Sequence, residues 1–432
     1  MKPRKWGRSK TEKQSTTRYS LFALLGAFIF SSIGACGLFE PSTAILWTDR
    51  PEFAIYAEYF NSSQAQYKVE VRYVEALAQK LTDTKEAPDI VIGSWLKSAS
   101  TRTLFKPLDH LFKKELLSKN AFYPRLLALG TIEEQQYLLP VAFNIPGLVF
   151  TRAKGQLLSN PFTISLEEIK TLGKAHNHEQ NGIYSQMGFS PAWDPEFLYI
   201  IANLFNTSFR EGDPLLWDQT ALDKTIEYIR DWIQNAAGAI QAEDDFVFKY
   251  FYQSPAVLVL SGRILFIYMN SADFFTLPQE RRVNLDFRWI AENDSIPLLE
   301  GTVYYGKYKK GKAAKASEAF TQWFFKAETQ RLLLENSKRQ RLNETLFGIS
   351  SGFSALRSVT EQIFPQFYPT LLGHMPPVGF LTPPHILPYN WGVLKERVIL
   401  PYLQDMIRTE NPETIRPLER QIADWYKINK EF

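Results

Sequence analysis

Apolar positions along this chain change their spacing in a regular order. AILW (44–47) is an unbroken apolar run, PEFAIYAEYFN (51–61) repeats at helical spacing behind Pro51, and YKVEVRY (67–73) alternates. VEALAQKL (74–81) returns to helical spacing and PDIVIG (88–93) is again a short buried run. Short strands separated by helices predict an α/β fold, a parallel sheet with helices on both faces. Later helices carry their own start signals. Ser165 with Glu168 forms a capping box for SLEEIKTLGKA, Asp194 then Pro195 opens DPEFLYIIANLF, and Asn411 then Pro412 opens NPETIRPLERQIADWYK. There is no internal repeat and no low-complexity linker, so a chain of 432 residues is expected to fold as two interwoven lobes.

One apolar run does not fit that scheme. LFALLGAFIF (21–30) follows a segment with seven basic residues and one acidic residue, and it precedes the small residues Gly34 and Ala35. A charged region, a short apolar region and small residues make a secretory signal; the run is shorter than the roughly 20 residues that span a bilayer. The only cysteine, Cys36, comes next. Ile33, Gly34, Ala35 and Cys36 resemble the bacterial lipobox, which implies cleavage before Cys36 and acylation of its sulfur. Each buried acyl CH₂ contributes about 0.8 kcal/mol, so a multiply acylated cysteine holds a folded domain on a membrane without a spanning helix. Residues 1–35 are expected as signal peptide and 36–43 as a lipidated linker.

The leader also changes the charge. Removing its seven basic and one acidic residues from totals of 49 and 46 leaves 42 against 45, net −3 where the full chain has +3. A mildly acidic mature chain gives no electrostatic reason to expect nucleic acid as a partner.

Over the mature chain, the order of AILWTDRPEFAIYAEYF, APDIVIGSWLKS, FKPLDHLF, YLLPVAFNIPGLVFTR, ISLEEIKTLG, LSGRILFIYMNSADFF and SEAFTQWFFKAETQRLLLE resembles the family 1 extracellular solute-binding proteins, the maltose-binding-like receptors of ABC importers. The resemblance implies a periplasmic-binding-protein-like II fold, two α/β lobes joined by crossover strands near LPVAFNIPG and LLEGTVYYG. It places the lobes at 44–143 with 299–347 and at 144–298 with 348–432. It also implies a monomer that needs no cofactor, holds a sugar or oligosaccharide in the cleft, and releases it to ABC permease subunits. The lipid anchor would face the periplasm or the exterior.

In a doubly wound lobe, ligands lie outside the carboxyl ends of the strands. Trp47, Asp49 and Arg50 end the first strand, where the family places polar sugar contacts, and Trp95 follows the third. Asn144 falls in the first crossover, Trp193 and Asp194 begin a later helix, and Asn270 follows ILFIYM. Tyr304 and Tyr305 are consecutive in a strand, so only one, taken as Tyr304, can face the cleft. Aromatic faces stack on a pyranose, and Asp, Asn and Arg bond its hydroxyls. Each residue also has a packing role to weigh: Trp47 as core, Asp49 as a cap. Trp193 is expected to contact solute with little share in stability.

Three other patterns carry less. GKYKKGKA (306–313) has Ala313 where a phosphate loop needs Ser or Thr. GISSG (348–352), with His374 and His385 downstream, would make Ser350 the nucleophile of a hydrolase, but a polar helix-like stretch precedes it instead of a strand. His176 and His178 point apart on a helix and have no third ligand, so no metal is expected. The remaining alternative is a surface lipoprotein of the same fold that binds a protein or envelope partner.

Overall fold

The computed structural model describes residues 42–236 and 238–429; the leader and Cys36 lie outside them. In chain order the strands that matter are β1 (Ser42–Thr48), β2 (Tyr67–Tyr73), β3 (Ile90–Gly93), β4 (Leu138–Phe143), β5 (Pro146–Thr151), β6 (Thr163–Ile164), β7 (Ile267–Asn270), β8 (Leu285–Ile290), β9 (Ile296–Pro297), β10 (Val303–Lys307), β11 (Phe353–Ser354) and β12 (Leu381–Thr382). They form a six-stranded sheet in the order β11-β4-β10-β3-β1-β2 and a four-stranded sheet in the order β7-β5-β8-β6. Each sheet is covered by helices, giving the two interwoven α/β lobes.

β1 pairs parallel to β3, with Leu46 opposite Ile90, as buried runs linked by a helix predict. β10 then inserts antiparallel between β3 and β4. Only Asn144 and Ile145 separate β4 from β5, so the chain passes between the sheets within two residues. The return lies alongside: Leu299 N–H donates to Asn144 C=O and Ser271 N–H to Ile145 C=O. The stretch after 347, expected with the second lobe, begins with β11 on the first sheet, where Phe353 pairs with Phe143.

The helix Phe53–Ser63 buries Phe53, Tyr56, Ala57 and Phe60, one helical stripe, against the first sheet. Tyr305 belongs with Phe53, Phe320 and Phe324 on that face, while Tyr304 joins Trp47, Leu77, Val91 and Phe105 on the other. The second lobe packs Leu148, Phe197, Trp232 and Trp391 into its own core.

Two helix starts differ from expectation. VEALAQKL enters its helix only at Leu77, because Ala76 sits at φ 48°, in the left-handed region. NPETIRPLERQIADWYK is a short turn at Pro412–Thr414 and a separate helix Leu418–Ile428, and Asn411 makes no cap bond. Pro417 lacks the N–H that a helix continuing from Asn411 would need, and its ring excludes helical backbone before it. The other two starts are capped, Ser165 Oγ accepting from Glu168 N–H and Asp194 Oδ1 from Glu196 N–H, but the expected box at Ser165 is only half made, since the Glu168 carboxylate accepts from Ser159 N–H and Oγ.

Candidate functional site

Because β1 and β3 are parallel neighbours, their carboxyl ends bring Asp49, Arg50 and Ser94 together. Arg50 Nε lies 3.2 Å from Asp49 Oδ1, Arg50 Nη2 donates to Ser94 Oγ at 2.5 Å, and Ser94 N–H donates to Asp49 Oδ2 at 3.3 Å. Burial raises the Asp49 carboxyl above its ordinary range, opposed by Arg50 and the Ser94 amide.

From Ser94 a polar track runs toward the second lobe. Ser94 Oγ donates to Gly301 C=O at 3.1 Å. Beside Gly301, Glu300 Oε1 takes the Lys395 ammonium at 3.2 Å, and Lys395 also donates to Glu196 Oε2 at 2.8 Å. Glu300 is deeply buried and Lys395 mostly so. Burial alone would lower the Lys395 amine, but Glu300 and Glu196 outweigh it and hold it above the usual lysine range. Glu196 is raised by burial despite Lys395. After burial, the charges of Glu196, Asp194, Glu300 and Asp273 push the Tyr268 hydroxyl up, so four carboxylates converge around the end of β7.

The lobes also touch directly. Trp95, at φ 64°, packs on the second-lobe core, and a Cβ at Gly392 would lie 3.6 Å from its ring. The Glu211 carboxylate accepts from Ala99 N–H at 2.8 Å.

The other expected site residues have mixed placements. Asn144 joins the crossovers: its Nδ2 donates to Ser351 C=O and its Oδ1 accepts from Ser271 Oγ. Asp194 and Asn270 cap the helices they precede. Trp193 is half-buried, with Phe246 stacked at 6.0 Å and Phe251 and Phe189 at 5.1 and 5.8 Å, and its indole N–H has no partner. The turn that carries it starts at Ser190, whose hydroxyl donates to buried Glu243, a carboxyl that burial pushes up to about 8. Trp47 is in the first-lobe core with its indole N–H unpartnered. Tyr304 is a core residue too: it is fully buried and its hydroxyl donates to Leu126 C=O. No solute can reach a ring enclosed on that face.

Sequence reasoning did not find Glu300, Lys395, Glu196 or Lys97. Lys97 is a buried ammonium 4.8 Å over the Tyr304 ring, and burial lowers it to about 8. Glu300 and Lys395 are 95 residues apart and no local spacing pairs them.

The weaker patterns have structural explanations. In the basic turn at 306–313, the amides of Lys312 and Ala313 both donate to Asp89 Oδ1, so a carboxylate already fills the place a phosphate would take. Ser350 Oγ is buried without a partner, and His374 instead lies beside Arg288 and Asp286. His176 bonds Gly262 C=O, and the described residues contain no group of three potential metal ligands.

A family profile described as "Bacterial extracellular solute-binding protein" matches residues 56–339. The chain belongs to that family. Its members are receptors rather than enzymes, which agrees with the unpartnered Ser350 hydroxyl. Among the described residues of this solute-binding protein no helix is long and apolar enough to cross a membrane. Solved structures share the fold. The ABC substrate-binding protein Lmo0181 from Listeria monocytogenes in complex with cycloalternan is 12% identical, with TM-score 0.60 over 90% of this chain and 99% of that one. The cyclic alpha-maltosyl-1,6-maltose binding protein from Arthrobacter globiformis is 15% identical, with TM-score 0.61 over 90% and 100%. The bacterial solute receptor AcbH, described as having an exclusive preference for β-D-galactopyranose, is 14% identical, with TM-score 0.62 over 89% and 97%. No curated protein matches the sequence.

Proposed function

We propose that this protein is a lipid-anchored, monomeric receptor that captures a carbohydrate between its lobes and passes it to the permease subunits of an ABC importer. The observation that carries this reading is the polar track from Asp49 and Arg50 through Ser94 and Gly301 to Glu300, Lys395 and Glu196. It runs from charged groups at the carboxyl ends of first-lobe strands to Glu196 and Lys395 on second-lobe helices, and hydrogen bonds to charged groups are worth roughly 1.5–3 kcal/mol each. Trp95, next to Ser94, supplies an aromatic face beside it, and Trp193 is the second-lobe candidate for another. The neighbours that bind cycloalternan and cyclic maltosyl-maltose support a sugar, and the galactopyranose preference of AcbH extends the range of candidates to a single ring. Crossovers near Asn144 and Leu299, a return to the second lobe only after β11, and an acylated Cys36 complete the proposal.

A protein-binding lipoprotein of the same fold is the second reading. Phe248 and Tyr252, 91% and 80% exposed, favour it as aromatic rings left largely open to solvent.

Unfolding the purified mature protein and analysing the supernatant by mass spectrometry separates the two readings. A released hexose or oligosaccharide is expected. Absence of any small molecule, together with no compaction in X-ray scattering on titration with hexoses and oligosaccharides, would refute the receptor reading.

A further inference from the structure

The turn GISSG (348–352) runs through left-handed backbone at Gly348, Ser350 and Ser351, with φ of 61°, 51° and 56°. Two consecutive serines there are strained, and such strain persists only where surrounding structure enforces it. Part of that surrounding is Glu52, only 4% exposed, which precedes the helix Phe53–Ser63. Its Oε1 accepts from Ser351 Oγ at 3.1 Å, while its Oε2 is buried with no partner. Ser350 Oγ is likewise buried and unpartnered. Tyr56 is adjacent: its hydroxyl oxygen accepts from Ser350 N–H at 3.4 Å, and after burial the Glu52 charge raises its pKa further.

Against Glu52, Tyr56 and Ser351, but not Ser350, lies a cavity of about 20 Å³ whose remaining wall includes Asn336 and the apolar side chains of Leu333 and Leu346. That is room for one water-sized occupant. Among the described residues no lysine, arginine or histidine pairs with Glu52. The helix start does not cap it either, since the amides of Phe53 and Ala54 go to Arg50 and Pro51 carbonyls and those of Ile55 and Tyr56 to the Glu52 carbonyl. A buried carboxylate held by one hydroxyl is a costly state unless it is paired or coordinates a cation. A water would complete the hydrogen bonding but leave the charge.

We propose that this cavity holds a monovalent alkali cation, sodium or potassium, bound by the Glu52 carboxylate with the hydroxyl oxygens of Ser351 and Tyr56. All the available donors are oxygens, the ligands of hard cations; one carboxylate balances one charge; and no imidazole or thiolate is present to favour a transition metal. The cation braces the first-lobe helix against the crossovers, because Ser351 C=O accepts from Asn144 Nδ2 and Asn144 in turn accepts from Ser271. The site is separate from the polar track and stands whether or not the solute is a sugar.

The test is thermal melting of the mature protein in choline, sodium and potassium chloride at one ionic strength, without solute. Sodium or potassium should raise the melting temperature saturably, by about 2 °C or more over choline. Glu52→Gln should abolish the increment, and Ser351→Ala, which keeps the carboxylate, should move half-saturation to a higher concentration. Identical melting of the native protein in all three salts would overturn the proposal. So would an increment that survives unchanged in either variant.

Discussion

Asp49 and Arg50 leave β1 and bond to each other and to Ser94, across two strand ends. Asp194 and Asn270 stand at similar junctions on the second lobe but bond to the backbone of the helices they start. Residue type alone does not separate the two walls; the neighbours of each residue do. Asp194 precedes a proline at the first helical position and becomes a cap, whereas Asp49 is held by the adjacent guanidinium and by an amide from the next strand. On the second wall the charges come from distant segments: Lys395 and Glu196 meet Glu300 from the crossover, and while Glu300 and Lys395 are largely buried, the Glu196 side chain is 40% exposed. The first wall is therefore expected to carry recognition at little cost to stability, and the second to carry both.

The largest test of that contrast is Lys395→Met. Removing one partner of a buried pair typically costs about 3–5 kcal/mol, because the other charge is left uncompensated. Glu300 is 5% exposed and would be that charge. Denaturant unfolding should show a loss of that size, with the mutant restored in part by adding Glu300→Gln. A loss below about 1 kcal/mol would mean that Lys395 is a surface cation in practice and that the walls do not differ.

Trp193→Ala should have the next largest effect. The sequence places this indole in a loop before a helix, which suggests a solute contact free of packing duty. The structure gives it three aromatic neighbours within 6.0 Å. Truncation should then cost about 2–4 kcal/mol, somewhat less than for a fully buried aromatic, since the ring is only half-buried. If the half-exposed side also stacks on solute, affinity in the folded fraction should fall at least tenfold while Trp193→Phe keeps most of both. Unchanged affinity would assign Trp193 to packing alone.

These cases show what the sequence could and could not carry. The period changes between 44 and 93 placed β1, β2 and β3, because the burial of short strands is written locally. The crossover at Asn144 was expected from the resemblance to the solute-binding family and not from any local pattern. Tyr304 and Tyr305 were correctly assigned to opposite faces, yet which face is closed depends on Leu126 and Phe105, packed from far along the chain. Lys395 with Glu300, and Glu52 with the serine turn, are pairings across 95 and 299 residues that no periodicity encodes.

The smallest stability effect belongs to Arg50→Gln. Its ion pair with Asp49 is partly exposed, with side-chain exposures of 28% and 22%, so its loss should cost no more than about 1 kcal/mol. The sign with pH is fixed by Asp49. Burial raises that carboxyl and Arg50 opposes the rise, so without Arg50 the folded-state pKa moves further above the unfolded value. The mutant should match the native protein most closely at acid pH, where Asp49 is protonated in both states, and lose stability as pH climbs through the raised value. Affinity should respond far more than melting. A hydrogen bond from a guanidinium to a solute hydroxyl is worth about 1.5–3 kcal/mol, a loss of tenfold or more in Kd measured by calorimetry. Native affinity in Arg50→Gln would remove the first wall from recognition, and a melting loss as large as that of Lys395→Met would show that both walls are built as core.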